Sequence, residues 1–151
     1  MDKINDFVFG EMEYDHSWVK EENVSLFGKN YDIRIVAEAY AGQDILDIQR
    51  KSYERYKEGY PEYLTKIPDV LLNYYIENYE RISEEVEIPE KINLKNINKE
   101  IIVKLIRVKT VYFDREGQYG WLCDCAWDME HGISIILSEE EPFVAEQDYL
   151  L

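Results

Sequence analysis

The chain has 151 residues, 46% of them hydrophobic, which is enough for one packed domain over residues 1–151 and too many for a disordered segment. Its 17 basic and 32 acidic side chains give a formal charge of -15. Phosphate backbones and anionic membrane surfaces call for a basic footprint, so this balance argues against nucleic acid and membrane as ligands, whereas a basic protein would be attracted.

The opening "MDKINDFVFG" lacks the basic, apolar and small-residue sequence of a secretory signal, and no apolar run approaches the ~20 residues that cross a bilayer. Two cysteines one residue apart do not make a secreted disulfide framework, so the cytoplasm is the expected compartment. "FVFGEMEY" predicts a short strand interrupted near Gly10. "NVSLFGKNYDIRIVAEAY" predicts a hairpin turning at Gly28-Lys29-Asn30, with Ile33, Ile35 and Ala37 on one face and Asp32, Arg34 and Glu38 on the other.

After Gly42 the period becomes helical, with Ile45, Ile48, Ser52 and Tyr56 on one stripe. Gly59 is expected to end that helix, Pro61 to open a second, and Pro68 to break or kink it. Leu71, Tyr75, Asn78 and Ile82 then recur at helical spacing. Gln49 is expected to bond a strand-end backbone group, and the tyrosines of this region to line a helix–sheet core with their hydroxyls at the rim. "SEEVEIPEKINLKN" reads as an acidic loop carrying Glu84, Glu85 and Glu87, and "NKEIIVKLI" holds a short helix. The strands "RVKTVYFD", "YGWLCDCAW", "ISIIL" and "PFVAE" follow, with turns at 115–118 and at Glu139-Glu140-Glu141. The predicted fold is α+β: an antiparallel sheet with two or three helices packed on one face and a C-terminal β-meander.

The chemistry concentrates in "YGWLCDCAWDMEHGIS". Cys123, Cys125, His131 and the distant His16 together have the composition of a tetrahedral zinc site. On a regular strand, however, the two cysteines point the same way with their Cα atoms nearly 7 Å apart, at a rise of ~3.3 Å per residue, which suits neither one zinc ion nor a mutual disulfide. The reading that uses more residues is structural. Trp121, Cys123, Cys125 and Trp127 form an apolar face, Asp128 accepts backbone hydrogen bonds, Glu130 and His131 occupy a turn, and Gly132 supplies positive φ. A cysteine nucleophile would need a base and a depressed pKa, and an apolar strand raises a thiol pKa instead. No catalytic residue, metal ligand or cofactor is therefore assigned. The alternative is an enzyme or metal-binding domain centred on Cys123, Cys125, Asp128, Glu130 and His131.

Trp127-Asp128-Met129-Glu130-His131-Gly132 after an apolar strand resembles the turn of a bacterial family of uncharacterised domains. "SLFGKNYDIRI" followed by "DILDIQRKSYERY" is similar to that family's strand, turn, strand and glutamine-bearing helix, and the likeness runs from Phe9 to Gln147. Near the C-terminus, Ala145-Glu146 before Gln147-Asp148 departs from the glycine that often precedes an acidic or amide pair there. Members are often encoded beside polymorphic toxin systems, and several are thought to act as immunity proteins. The resemblance implies no catalytic residues. It implies a non-enzymatic binding protein that occludes a basic toxin domain; the charge pattern itself, not the resemblance, makes Glu84, Glu85, Glu87, Glu139, Glu140 and Glu141 the sharpest acidic candidates for the contact. A self-associating structural domain built on a tyrosine-rich helix face is a further alternative.

Overall fold

In a computed structural model, which describes residues 2–151, the chain forms one eight-stranded sheet whose strands lie side by side in chain order. The first four are β1 (Lys3–Asp6), β2 (Gly10–Tyr14), β3 (Trp18–Leu26) and β4 (Lys29–Ala37), joined as antiparallel neighbours. The last four are β5 (Ile106–Phe113), β6 (Tyr119–Cys125), β7 (Asp128–Ile136) and β8 (Phe143–Glu146), again antiparallel. Between the two sets lie α1 (Asp47–Glu77), α2 (Tyr79–Glu85) and α3 (Lys99–Ile102). The fold is α+β and mostly antiparallel, with the helices in the middle of the chain. The exception is the central pair β4–β5, which is parallel because the helical crossover returns the chain to the same end of the sheet.

The β3–β4 turn sits one residue earlier than expected, at Phe27-Gly28, both with positive φ (53° and 79°). That is the two-residue geometry whose twist matches the flanking strands. The interrupted first strand is a separate hairpin, β1–β2. Its turn is held by buried Asp6, whose carboxylate accepts the Val8 and Phe9 N–H groups at 3.0 and 2.9 Å. Arg50 of α1 donates to the other Asp6 oxygen at 2.7 and 2.9 Å, tying this hairpin to the helix.

The helical region departs most from expectation. Gly59 does not end a helix and Pro61 does not begin one, because α1 runs 31 residues with both Pro61 and Pro68 inside it. Each proline removes one backbone hydrogen bond, yet Tyr56, Tyr63, Ile67, Leu71 and Tyr75 continue a single buried stripe across both sites. Core packing along one face outweighs the local penalty. Ile48, expected on the stripe, is exposed, and Gln49 takes the inward position. The segment expected to be an acidic loop begins within the last residues of α2 and contains a 3-10 turn at Glu90–Ile92.

One face of the sheet packs on α1. Phe9, Tyr53, Phe113, Tyr119 and Tyr56 meet there in stacked and edge contacts, with Phe9 and Tyr53 centroids 4.4 Å apart. Four helix tyrosines (Tyr53, Tyr56, Tyr63, Tyr75) are buried with bonded hydroxyls, as for Tyr75 to the Ile92 carbonyl at 2.8 Å. The other face carries a smaller cluster of Val36, Tyr112, Leu122 and Ile136, closed by Leu150 after the 3-10 turn Gln147–Tyr149.

Candidate functional site

The Cys/His hairpin divides into a dry side and a wet side. Cys123 and Cys125 are both buried on the helix-facing side of β6, opposite Val108 and Ile106 of β5. Burial pushes both thiols up. For Cys125 the value reaches about 12, and its Sγ donates to the Asp128 carbonyl at 3.7 Å. Both are therefore neutral thiols at physiological pH, the opposite of an activated nucleophile.

The polar residues sit elsewhere. The chain reverses at Ala126-Trp127, not at Glu130-His131 as expected, so Asp128 already begins β7. From Cys123 to Cys125, two steps on β6 face five steps on β7, from Ile133 back to Asp128. The surplus residues leave the ladder as a bulge with Met129, Glu130 and His131 exposed. Trp127 turns inward instead, its ring centroid 5.3 Å from that of Tyr75. Gly132 closes the bulge with φ +70°, and a Cβ there would collide with the Cys123 carbonyl oxygen.

Within the bulge, Asp128 Oδ1 accepts the His131 backbone N–H and lies 3.1 Å from its Nδ1. That hydrogen bond, with the negative charges of Asp128 and Glu130, raises the imidazole above its ordinary range. Thus Asp128 and His131 are brought together in solvent, while Cys123 and Cys125 face the core, and the five residues do not converge on one point. Among the described residues no three His, Cys, Asp or Glu side chains are grouped to hold a metal ion. His16 stands in a separate turn with φ 65°.

The acidic candidates separate as well. Glu84 and Glu85 end α2 and Glu87 follows in the loop, all exposed. Glu139, Glu140 and Glu141 form the exposed β7–β8 turn, which lies beside the middle of α1. This turn borders a feature that sequence reading did not find, a cleft of about 350 Å³ between α1 and the β7–β8 end of the sheet. Glu139 and Glu140 line one side, Arg55, Glu58, Glu62 and Lys66 the other, and Tyr63 and Tyr119 supply buried phenols. Arg55, Glu58, Glu62 and Lys66 recur at helical spacing on one face of α1, a signal present in the sequence but hidden by the expected break at Gly59. Lys66 pairs with Glu62 at 2.9 Å, and Arg55 donates to the Ser138 carbonyl at 3.2 Å.

Among the described residues no helix is long and apolar enough to cross a membrane. The chain belongs to a family described as a domain of unknown function, DUF6985, whose profile matches residues 8–149. No curated protein and no solved structure shows a significant match to it.

Proposed function

We propose that this member of the family is a non-enzymatic binding domain for a basic protein, working in the cytoplasm as an immunity-type factor that occludes a toxin domain. The observation that carries the reading is the placing of the acidic turn. Glu139 and Glu140 stand exposed on a cleft whose helical wall adds Glu58 and Glu62 beside Arg55 and Lys66, so that acids outnumber bases there, on a chain with a formal charge of -15. Such a surface attracts a basic partner over a distance and then offers it a shaped recess. The buried, neutral thiols and the solvent-facing Asp128–His131 pair support a structural role for the hairpin. The exposed Met129 at its tip then becomes available for contact.

The test is co-purification with the product of the neighbouring gene, followed by mass measurement in solution. A stoichiometric complex that blocks that product's toxicity is the expected result. A chain that only self-associates, or that binds no neighbouring product, counts against the reading.

A further inference from the structure

Buried Tyr75 gathers four segments at the C-terminal end of α1. Its hydroxyl donates to the Ile92 carbonyl at 2.8 Å, and its ring centroid lies 5.3 Å from that of Trp127 in the β6–β7 reversal and 5.6 Å from that of Tyr79 in α2. The Ala126 N–H donates to the Leu105 carbonyl at 2.8 Å, which brings the 3-10 turn Val103–Leu105 to the same reversal. Three exposed large hydrophobic side chains flank this junction. Ile76 (47% exposed) follows Tyr75, Leu94 (50%) comes two residues after Ile92, and Met129 (85%) two after Trp127. Apolar side chains gathered at one end of a molecule and rimmed by charge are the kind of surface that protein–protein contacts use.

The charge around them is unlike that of the rest of the chain. Residues 91–109 carry six exposed bases, Lys91, Lys95, Lys99, Lys104, Arg107 and Lys109, against one acid, Glu100. Exposed Glu84, Glu85 and Glu87 come just before them. Internal pairing uses part of each set, Arg81 with Glu85, Lys99 with Asp69 and Lys109 with Asp124. Lys91, Lys95, Lys104 and Arg107 on one side, and Glu84, Glu87 and Glu130 on the other, have no ion-pair partner among the described residues. Residues 84–109 hold six of the chain's 17 bases but only five of its 32 acids. Two copies of a chain with a formal charge of -15 repel over most of their surface, and along this stretch they meet with the two signs in balance.

We infer that this end of the molecule is the contact surface of a twofold dimer of the chain. An acidic run beside a basic run is self-complementary. A twofold axis between the runs sets Glu84 and Glu87 of each copy against Lys91 and Lys95 of the other, with Leu94 and Met129 at the apolar centre. An acidic partner would leave Glu84 and Glu87 facing like charge, and a basic partner would do the same to Lys91 and Lys95, whereas a second copy satisfies both. The turn of residues 139–141 lies beside the middle of α1, so the dimer leaves the surface proposed for the basic toxin open.

The test is sedimentation equilibrium of the whole chain over a concentration series, where a monomer–dimer equilibrium is expected. Leu94→Asp and Met129→Asp, both at exposed positions, should each weaken the dimer about tenfold or more with the thermal midpoint nearly unchanged. Glu84→Lys with Glu87→Lys, and separately Lys91→Glu with Lys95→Glu, should each leave the chain monomeric. Mixing the two charge-reversed chains should restore a heterodimer, a rescue that damage to folding does not give. A chain that stays monomeric at ~1 mM, or a dimer indifferent to these changes, overturns the assignment. So does a monomeric chain whose Leu94 and Met129 amides shift only when the neighbouring gene product binds, because that product is then the occupant of this end.

Discussion

Gln49 holds the junction on which the fold turns, and replacing it tests the architecture directly. The side chain is fully buried near the start of α1. Its Nε2 donates to the Glu38 carbonyl at 2.9 Å and to the Phe113 carbonyl at 3.2 Å, just beyond β4 and at the end of β5, and its Oε1 accepts the Leu46 N–H at 2.9 Å. One amide therefore joins the two parallel strands to the helix that connects them. Gln49→Met keeps the length and removes the polar atoms. The two carbonyls keep other donors, Arg115 for Glu38 and the Glu38 N–H for Phe113. The Leu46 N–H has no second partner among the described residues. A buried orphan donor costs about 1–3 kcal/mol, and the two lost carbonyl bonds add a smaller amount, so a loss of about 2–3 kcal/mol is expected. For a domain of this size each kcal/mol moves the midpoint by about 2–4 °C, giving a fall of about 4–12 °C. Thermal and urea unfolding should agree on it. Gln49→Glu should be worse, because a carboxylate would face two carbonyl oxygens. A methionine variant as stable as the parent would mean that this junction does not hold the crossover.

The other predictions concern the hairpin. Gly132→Val combines a positive-φ backbone with a collision against the Cys123 carbonyl, so it should cost well over the ~1 kcal/mol of an average substitution, and an unchanged thermal midpoint would mean the bulge is misplaced. His131 should titrate by NMR above the ordinary imidazole range and return toward it in Asp128→Asn. Because its folded pKa is raised, the small stabilisation is complete below the unfolded value and disappears as pH rises through the folded one. His131→Ala should leave stability almost unchanged, so a loss of partner binding with that substitution would mark a contact residue. Cys123 and Cys125 should resist a thiol reagent in the native protein at neutral pH and react only on unfolding, while rapid native labelling would refute the account of buried neutral thiols.

Much of this fold is legible from local pattern. The alternation of Ile33, Ile35 and Ala37, the meander of the last third and the inward role of Gln49 all follow from period and residue chemistry. Long-range packing is what the pattern hides. Pro61 and Pro68 carry strong local signals for helix ends, but the chain obeys the buried stripe that spans them. The parallel β4–β5 pair depends on which end of the sheet the crossover regains, and nothing in either strand encodes that. Trp127 reads as the end of a strand, yet its burial against Tyr75 pulls the reversal forward to Ala126-Trp127 and forces Met129–His131 into a bulge. The cleft was invisible for the same reason as the continuous helix, since its helical wall crosses the expected break.

Association kinetics with the neighbouring gene product across a salt series test the central claim most directly. Steered complexes form at ~10⁸ M⁻¹s⁻¹ or faster, against ~10⁵–10⁶ for uncharged encounter, and screening acts over about 8 Å at physiological ionic strength. Association should be fast at low salt and slow markedly as salt rises. Replacing Glu139, Glu140 and Glu141 with glutamine should reduce the on-rate and its salt dependence, with unfolding unchanged. A complex whose on-rate ignores both salt and these three glutamates would make the acidic surface a solubility device and contradict the account.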